Sequence, residues 1–554
     1  MEDRLKWWQK TNVCEIYVRS FQDSDGDGIG DLKGITQRLD YLKKLGIGAV
    51  WITPCYPSPQ ADNGYDIVDY CAIDETFGTM EDLETLISEA GKRGICIVMD
   101  LVFNHTSDQH AWFLESSSGK ENPKSDWYIW RDAKPDGSEP TNWRSIFGGS
   151  AWTWSETRGQ YYLHTFLKEQ PDLNWENPEV RCALYDTAIF WLDKGVGGFR
   201  MDAITYIKKP AFTDGVPDAG DGMTAIHEMI ANSDGILDFL HEFKDTVQSG
   251  RDIFTVGEAN GVNASDLPEW VGSEGVFDMV FEFSHILLGL KEGTAGAGRI
   301  GWTLVDLKRI LTDSQEKNAG NGWYPVYFEN HDHPRCIDHY FPGTADSNMA
   351  AKIIGTLLFT LRGTPFVYQG QELGLRNVAW DDINDYNDIS TRNRYGFLIS
   401  EGKTPVEALA AIHFFSRDSA RTPMQWTADK NAGFTRGTPW LPVNENYRTC
   451  NVASEEADPD SILSWYRALA EIRRSHSELI EGSYEEILHD SSQIYAFIRR
   501  GTTAEAIILT NFSEETAEYD AALLDGAALV ISSAENSTKG MLEHLESAVY
   551  KRKI

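Results

Sequence analysis

A chain of 554 residues is too long for one simple core; at roughly 100–200 residues per domain it suggests about three units, of which one large barrel could absorb half. A composition that is 41% hydrophobic, with 18 Trp, 22 Tyr and 25 Phe, excludes disorder. The formal charge of −35, from 50 basic and 85 acidic residues, argues against nucleic acid and other polyanions and leaves neutral ligands open.

The opening MEDRLKWWQK carries no apolar leader core, and no run of 18 apolar residues follows, so the expectation is a cytoplasmic protein without membrane contact. Eight short apolar runs then punctuate the chain: VCEIYV (13–18), AVWITP (49–54), ICIVMD (95–100), VGGFRMD (196–202), IFTVGEA (253–259), VFDMVFEF (276–283), YPVYFEN (324–330) and TPFVYQG (364–370). Between them lie amphipathic segments such as 32–46 and 80–94, whose apolar residues recur at three and four. Continuous apolar strands alternating with helices predict a parallel sheet covered on both faces, and eight units predict a closed (β/α)₈ TIM barrel.

Two intervals break the rhythm. Residues 105–174 are rich in Trp, Gly, Ser and Asp without helical period, which predicts a small inserted domain after the third strand. An irregular loop region spans 371–455 inside the second part of the barrel (175–480), the first part being 1–104. After 481 the texture changes to QIYAFIRRG (493–501), EAIILTNFS (505–513) and AALVISS (527–533), strands of a C-terminal antiparallel β domain over 481–554. The seven cysteines (14, 55, 71, 96, 182, 336 and 450) include no CxxC pair and mostly sit in apolar runs, so buried thiols are expected rather than zinc or disulfides.

The acids fall where the strands end: Asp100 after ICIVM, Asp202 after GFRM, Glu258 after FTVG, and Asp332 just past VYFENH. The C-terminal ends of barrel strands face one site, so these four can converge, whereas any one of them alone would read as a helix cap. His105, Arg200 and His331 stand beside them. HDH (331–333) could suggest zinc, but adjacent side chains diverge from a strand and HExxH is absent.

Taken in order, DLVFNHTS (100–107), QPDLN (170–174), GFRMDAI (198–204), GEAN (257–260) and ENHDHPR (329–335), with ADNGYDI (61–67) and RTPMQW (421–426), make the chain resemble the α-amylase family of glycoside hydrolases. Within it the chain is similar to the oligo-1,6-glucosidase, α-glucosidase and sucrose isomerase group, over nearly its whole length. The resemblance implies a barrel, an inserted domain and a C-terminal β-sandwich. It implies Asp202 as nucleophile, Glu258 as general acid/base and Asp332 as the third carboxylate. It also implies a first sugar subsite of His105, Arg200 and His331, closed by Asp62, Tyr65 and Arg421 and flanked by Phe147. Retaining cleavage needs one ionised and one protonated carboxyl about 5–5.5 Å apart, and Arg200, on the same strand face as Asp202, is expected to hold it as the anion.

DSDGDGIGD (23–31) would on its own be an acidic turn or a cation loop. The resemblance implies structural Ca²⁺, with Mg²⁺ as the alternative, on Asp23, Asp25, Asp27, the Ile29 carbonyl and Asp31, oxygen ligands suited to a hard cation. The terminal Glu of an EF-hand is missing. Specificity rests on fewer residues: Ala203, where many α-1,6-preferring members carry valine, and Gln371, where they carry an acid, lean away from strict isomaltase. The loop CIDHYFPGTAD (336–346) lacks the arginine cluster of sucrose isomerases. The expected function is a retaining, exo-acting α-glucosidase on short α-glucosides, as monomer or homodimer, without an organic cofactor. The alternatives are a sucrose isomerase or α-glucosyltransferase, a trehalose synthase, and, least of all, a non-enzymatic sugar-binding relative.

Overall fold

The structure, a computed structural model, describes residues 5–218, 220–272, 274–290, 299–318 and 322–554. Each of the eight apolar runs contains a strand: β1 (Val13–Ile16), β2 (Ala49–Ile52), β3 (Cys96–Val102), β4 (Gly198–Asp202), β5 (Phe254–Glu258), β6 (Met279–Phe281), β7 (Pro325–Val326) and β8 (Thr364–Tyr368). They form one parallel sheet in the order β6-β5-β4-β3-β2-β1-β8-β7. Its two ends meet through side chains, Phe281 packing edge-on against Tyr327 at 4.9 Å, so the sheet is a nearly closed (β/α)₈ barrel.

Period two explains why these runs read as uniformly apolar. Val13, Ala49, Trp51, Val98, Phe254, Val256, Met279, Phe281 and Phe366 fill the barrel, while their alternates, among them Cys14, Val50, Ile97, Phe199 and Val367, pack outward under the helices. Continued to the strand ends, the inward set becomes Glu15, Asp100, Arg200, Asp202 and Glu258. The same alternation that builds the core therefore delivers charge to one mouth.

The helical pattern at 32–46 is two helices, Leu32–Gln37 and Leu39–Lys44, broken at Arg38 (φ −102°, ψ 5°). The pattern at 80–94 is one, Met80–Lys92, started by a reciprocal Thr79–Asp82 capping box. In the 105–174 interval, Trp130–Arg131, Gln160–Leu163 and Trp152–Ser155 form a small antiparallel sheet. Its core residues Ile129, Trp143, Trp152 and Leu163 pack with Ala203 and Tyr206, which follow β4.

The C-terminal sheet has five antiparallel strands: β9 (Ser483–Ile487), β10 (Ile494–Arg500), β11 (Ala504–Asn511), β12 (Ala528–Ser532) and β13 (Ser547–Lys553), in the order β9-β10-β11-β13-β12. The sequence reading has three of these. β9 is half-exposed and acidic, and β13 ends in Lys-Arg-Lys, so neither shows a clean apolar alternation. One face of the sheet packs on a ribbon of Ala517–Glu518 and Met541–Leu542, and the other, with Tyr495, Phe497, Ile508 and Val549, joins the barrel's outer core. Buried Arg499 ties the two, donating to the carbonyls of Thr360 at 2.6 Å and Leu479 at 2.9 Å.

All seven cysteines are free; Cys14, Cys55 and Cys336 are buried as expected, but Cys71 and Cys182 are exposed. Among the described residues, no helix is long and apolar enough to cross a membrane.

Candidate active site

Strand ends assemble the centre of the site. Arg200 is 3% exposed and its guanidinium serves three acids: Nη1 donates to Asp100 Oδ1 (2.9 Å) and Oδ2 (3.0 Å) and to Asp202 Oδ1 (2.7 Å), and Nη2 donates to Glu258 Oε2 (2.6 Å). The parallel register sets Asp100 beside Arg200 and places Val256, two residues before Glu258, beside it on the other side. Glu258 also accepts from the Ala203 N–H at 2.9 Å. That bond uses a turn in which Ala203 adopts left-handed backbone (φ 46°), just after the strand that ends at Asp202.

Sharing one cation among three carboxyls changes the protonation expected from sequence. Burial pushes Asp202 well above the ordinary carboxylate range; Arg200 opposes this, while Glu258 and Asp100 add to it. Burial likewise raises Asp100 to about 6, against Arg200. Arg200 is thus not reserved for holding Asp202 as the anion, because its one positive charge is shared among three neighbours.

A second group faces it. Asp332 Oδ1 accepts from Arg421 Nη2 (2.6 Å) and Arg417 Nη1 (3.2 Å), and Arg417 Nη2 reaches Asp62 Oδ1 (3.2 Å) and Asp388 Oδ1 (2.7 Å). Burial alone would raise Asp332, but His331, Arg417 and Arg421 hold it well below the usual range. Asp62 goes the other way, up to about 6, since burial outweighs Arg417 and Arg421. The Tyr65 and His331 rings stack 5.4 Å apart with the Tyr65 hydroxyl 3.1 Å from Asp100 Oδ2, which couples the two groups. His105 is buried, its Nε2 against the Tyr65 carbonyl (3.0 Å) and the Gln170 amide (3.1 Å), and burial lowers its pKa to about 4. Phe147 lies under the Arg417 guanidinium at 4.9 Å.

The structure thus brings together Asp62, Tyr65, His105, Phe147, Arg200, Asp202, Glu258, His331, Asp332 and Arg421. Ala203 touches this cluster through its N–H, and its side chain packs into the core of the inserted sheet. Gln371 is not brought to it: 1% exposed, its side-chain oxygen accepts from the Tyr368 N–H at 3.2 Å, behind the end of β8. Sequence reasoning misses Arg417, which joins Asp62, Asp332 and Asp388, although its spacing of four from Arg421 was a usable sign that both face one way. It also misses Glu15, an acid inside an apolar strand run.

In the Asp23–Asp31 loop, carboxylate oxygens of Asp23, Asp25 and Asp27 lie within 4.8 Å of one another, a donor set able to hold a hard cation. Each also accepts backbone N–H groups, Asp23 from Gly26 at 2.6 Å and Gly28 at 2.8 Å, Asp25 from Asp27 at 3.1 Å, and Asp27 from Ile29 at 2.7 Å. Asp31 stands apart from that trio. Its oxygens accept from Ser24 N (2.7 Å) and Gly34 N (2.7 Å), the latter capping the helix that follows.

The model of the alpha amylase catalytic domain matches residues 15–482. An oligo-1,6-glucosidase of Parageobacillus thermoglucosidasius is 45% identical over 560 residues, covering 99% of each chain. Among solved structures, the trehalose-6-phosphate hydrolase of Bacillus licheniformis is 41% identical with a TM-score of 0.91, covering 99% of this chain and 100% of that one. The trehalulose synthase of Pseudomonas mesoacidophila is 38% identical with a TM-score of 0.92 and the same coverage.

Proposed function

The chain belongs to the α-amylase family of glycoside hydrolases, and from that membership we propose that it is a retaining, exo-acting α-glucosidase that removes glucose from the non-reducing end of short α-glucosides. The observation that carries this reading is the single Arg200 guanidinium bound to both Asp202 and Glu258. Two carboxyls on the two terminal nitrogens of one guanidinium suit the about 5–5.5 Å separation of double displacement.

Asp202 attacks the anomeric carbon while Glu258 gives its proton to the leaving oxygen; Glu258 then takes a proton from water, which releases glucose with retention. The first step requires a proton on Glu258. A glycosidic oxygen that accepts from Glu258 draws it there and leaves Asp202 ionised beside Arg200. Asp332, held as an anion by Arg417 and Arg421, grips sugar hydroxyls and faces the developing positive charge. The bridge from Arg417 to Asp62 and Asp332 supports a pocket closed around one glucose. A sugar hydroxyl in place of water would give transglycosylation or isomerisation.

Incubation of the purified protein with maltose, isomaltose, isomaltulose and sucrose, with glucose and every new disaccharide quantified, tests the proposal. Glucose from several of them is the expected result; an isomeric disaccharide from sucrose with little glucose would replace hydrolase by isomerase. In the same assay Ala203→Val is expected to shift the isomaltose-to-maltose ratio of kcat/KM upward by about 10-fold or more, one side-chain increment being worth about 1–3 kcal/mol. The added β-branch at a left-handed position also costs on the order of 1–3 kcal/mol of stability, read as a lower Tm. An unchanged ratio would remove Ala203 from the specificity determinants.

The loop ion of this reading is Ca²⁺, held by Asp23, Asp25, Asp27 and the Ile29 carbonyl, with Asp31 left to cap the helix that follows. Chelation is expected to lower Tm and re-addition of Ca²⁺ to restore it, the ion contributing about 2.7 kcal/mol of stability at a hundredfold excess over Kd. Asp25→Ala should abolish the response. A Tm indifferent to chelator and to both Ca²⁺ and Mg²⁺ would leave the loop a self-capped turn.

A further inference from the structure

The inserted domain meets the barrel at a buried ammonium that the chemistry above does not use. Lys209, which follows β4, has a side chain only 4% exposed. Its Nζ donates to Asn104 Oδ1 at 2.9 Å, to Asp172 Oδ2 at 2.8 Å and to the Tyr206 carbonyl. Asn104 and Asp172 are fully buried, and Asn104 directly precedes His105 of the first sugar subsite.

The partners around the His105 ring have fixed roles as donors or acceptors, and together they place its hydrogen. Asp172 accepts on both oxygens: Oδ1 takes the Thr165 N–H at 2.9 Å, and Oδ2 takes the Thr165 hydroxyl besides Lys209. Asn104 therefore has an ammonium, which can only donate, at one end and Asp172 Oδ1, at 3.2 Å, at the other. Its amide oxygen must face Lys209 and its NH₂ must face Asp172, since a flip would set donor against donor and acceptor against acceptor. The same NH₂ lies 3.2 Å from His105 Nδ1, and an amide nitrogen cannot accept. Nδ1 is thus the bare nitrogen.

Nε2 then carries the hydrogen, and it has an acceptor in the Tyr65 carbonyl at 3.0 Å. The Gln170 amide, 3.1 Å from Nε2, does not reverse this. Its oxygen takes the Leu167 N–H at 3.0 Å, and its two hydrogens have acceptors in Asp62 Oδ2 at 3.2 Å and the Tyr65 carbonyl at 3.4 Å. Neither needs the ring. Burial, which lowers the His105 pKa, favours the same neutral state.

We propose that Asn104, locked in orientation by Lys209 and Asp172, is a positioning residue that fixes His105 as the neutral Nε2–H tautomer, so that the ring offers the first subsite a donor and no acceptor. A sugar hydroxyl seated against His105 must then accept from it and pass its own hydrogen to another group. The Asp62 carboxyl, joined to His105 through Gln170, is the neighbour placed to take it. This consequence for the sugar rests on the glucosidase reading; the tautomer does not.

Asn104→Asp tests the proposal. The substitution replaces the NH₂ by a carboxylate oxygen, so Nδ1 gains an acceptor and is expected to take up a hydrogen. Two-bond proton–nitrogen correlation spectra of ligand-free, deuterated protein carrying nitrogen-15 histidine distinguish the two neutral tautomers and the imidazolium, with His105 identified by the loss of its signals in His105→Gln. Wild type is expected to show the Nε2–H pattern near neutral pH, and N104D a hydrogen on Nδ1. In N104D kcat/KM should fall by about 10- to 100-fold, on the scale of losing a partner that orients a histidine. A variant that only loosened the fold would lower Tm without moving the ring hydrogen. The wild-type spectrum decides even if N104D does not fold, and it needs no substrate, so a wild type inert toward every α-glucoside would fell the glucosidase reading and not the tautomer. A hydrogen on Nδ1 in wild type, or an Nε2–H pattern retained by folded N104D, would overturn the proposal.

Discussion

Asp202→Asn is expected to yield a folded protein whose turnover of α-glucosides is reduced by about 10⁴-fold or more, the scale on which removal of a covalent nucleophile acts. The same substitution should not destabilise the protein. Asn still accepts from Arg200 at the position of Oδ1, and one of three mutually repelling carboxyls has lost its charge. The predicted pair of readings is therefore an inactive enzyme with a Tm equal to or above that of wild type. Glu258→Gln should separate the two half-reactions. With a nitrophenyl glucoside, whose leaving group needs little protonation, the first step survives and the glucosyl-enzyme accumulates, because no base activates water. Azide should then restore turnover and give the α-glucosyl azide, with retained configuration. Full hydrolysis by D202N, or a β-azide from E258Q, would overturn the assignment of the two roles.

Arg200→Met is expected to lose both activity and stability, the latter in a pH-dependent way. Breaking a buried ion cluster by removing one partner costs about 3–5 kcal/mol, because the remaining charges are left uncompensated. Here those charges are titratable. Asp100 and Asp202 have folded-state values raised above the unfolded value of about 3.9. Acids shifted in this direction contribute stability that is fully present below the unfolded value and is lost as pH rises through the folded one. Removing the guanidinium lifts both folded values further. Below about pH 5 the acids are protonated in either protein and the deficit of R200M is small. It widens as wild-type Asp100 ionises near 6 and the variant must hold its protons against a rising pH. Thermal unfolding of both proteins from pH 5 to 8 checks this. A Tm difference constant across that range would show that Arg200 acts by packing rather than by charge. Activity should be absent throughout, because Asp202 stays protonated where the nucleophile must be an anion.

Much of the barrel was legible because strands buried on two faces leave continuous apolar runs, and because an acid that ends such a run cannot be core. Asp100, Asp202 and Glu258 declare themselves in this way, and Arg200 does so by parity with Asp202. Arg417 does not, since it lies in a stretch without periodicity and its role depends on which distant loops, those of Asp62 and Asp332, come to meet it. Gln371 shows the converse. Its motif suggested a contact with substrate, but the left-handed Gly370 beside it turns the chain so that its side chain bonds back to β8. Glu15 stood in plain sight within VCEIYV, yet its partner is 316 positions away, a separation that no local pattern encodes. The break at Arg38 and the edge strand β9 of the C-terminal sheet were hidden for a different reason. Their residues are half-solvated, and half-solvated segments carry mixed composition whatever their backbone does, while the mostly buried β13 is masked by its Lys-Arg-Lys end.

The Arg417 bridge from Asp62 to Asp332, with Phe147 beneath it, bears on how such an enzyme would see its diet. In the exo mode proposed for this chain, a wall of this kind makes the number of free ends, and not the mass of carbohydrate, the quantity that governs flux. A long linear glucan is then a meagre meal per gram, and each cut leaves the count of ends on the polymer unchanged. An endo-acting partner that chops the same glucan multiplies the ends, so the two activities reinforce each other more than either rate alone would suggest.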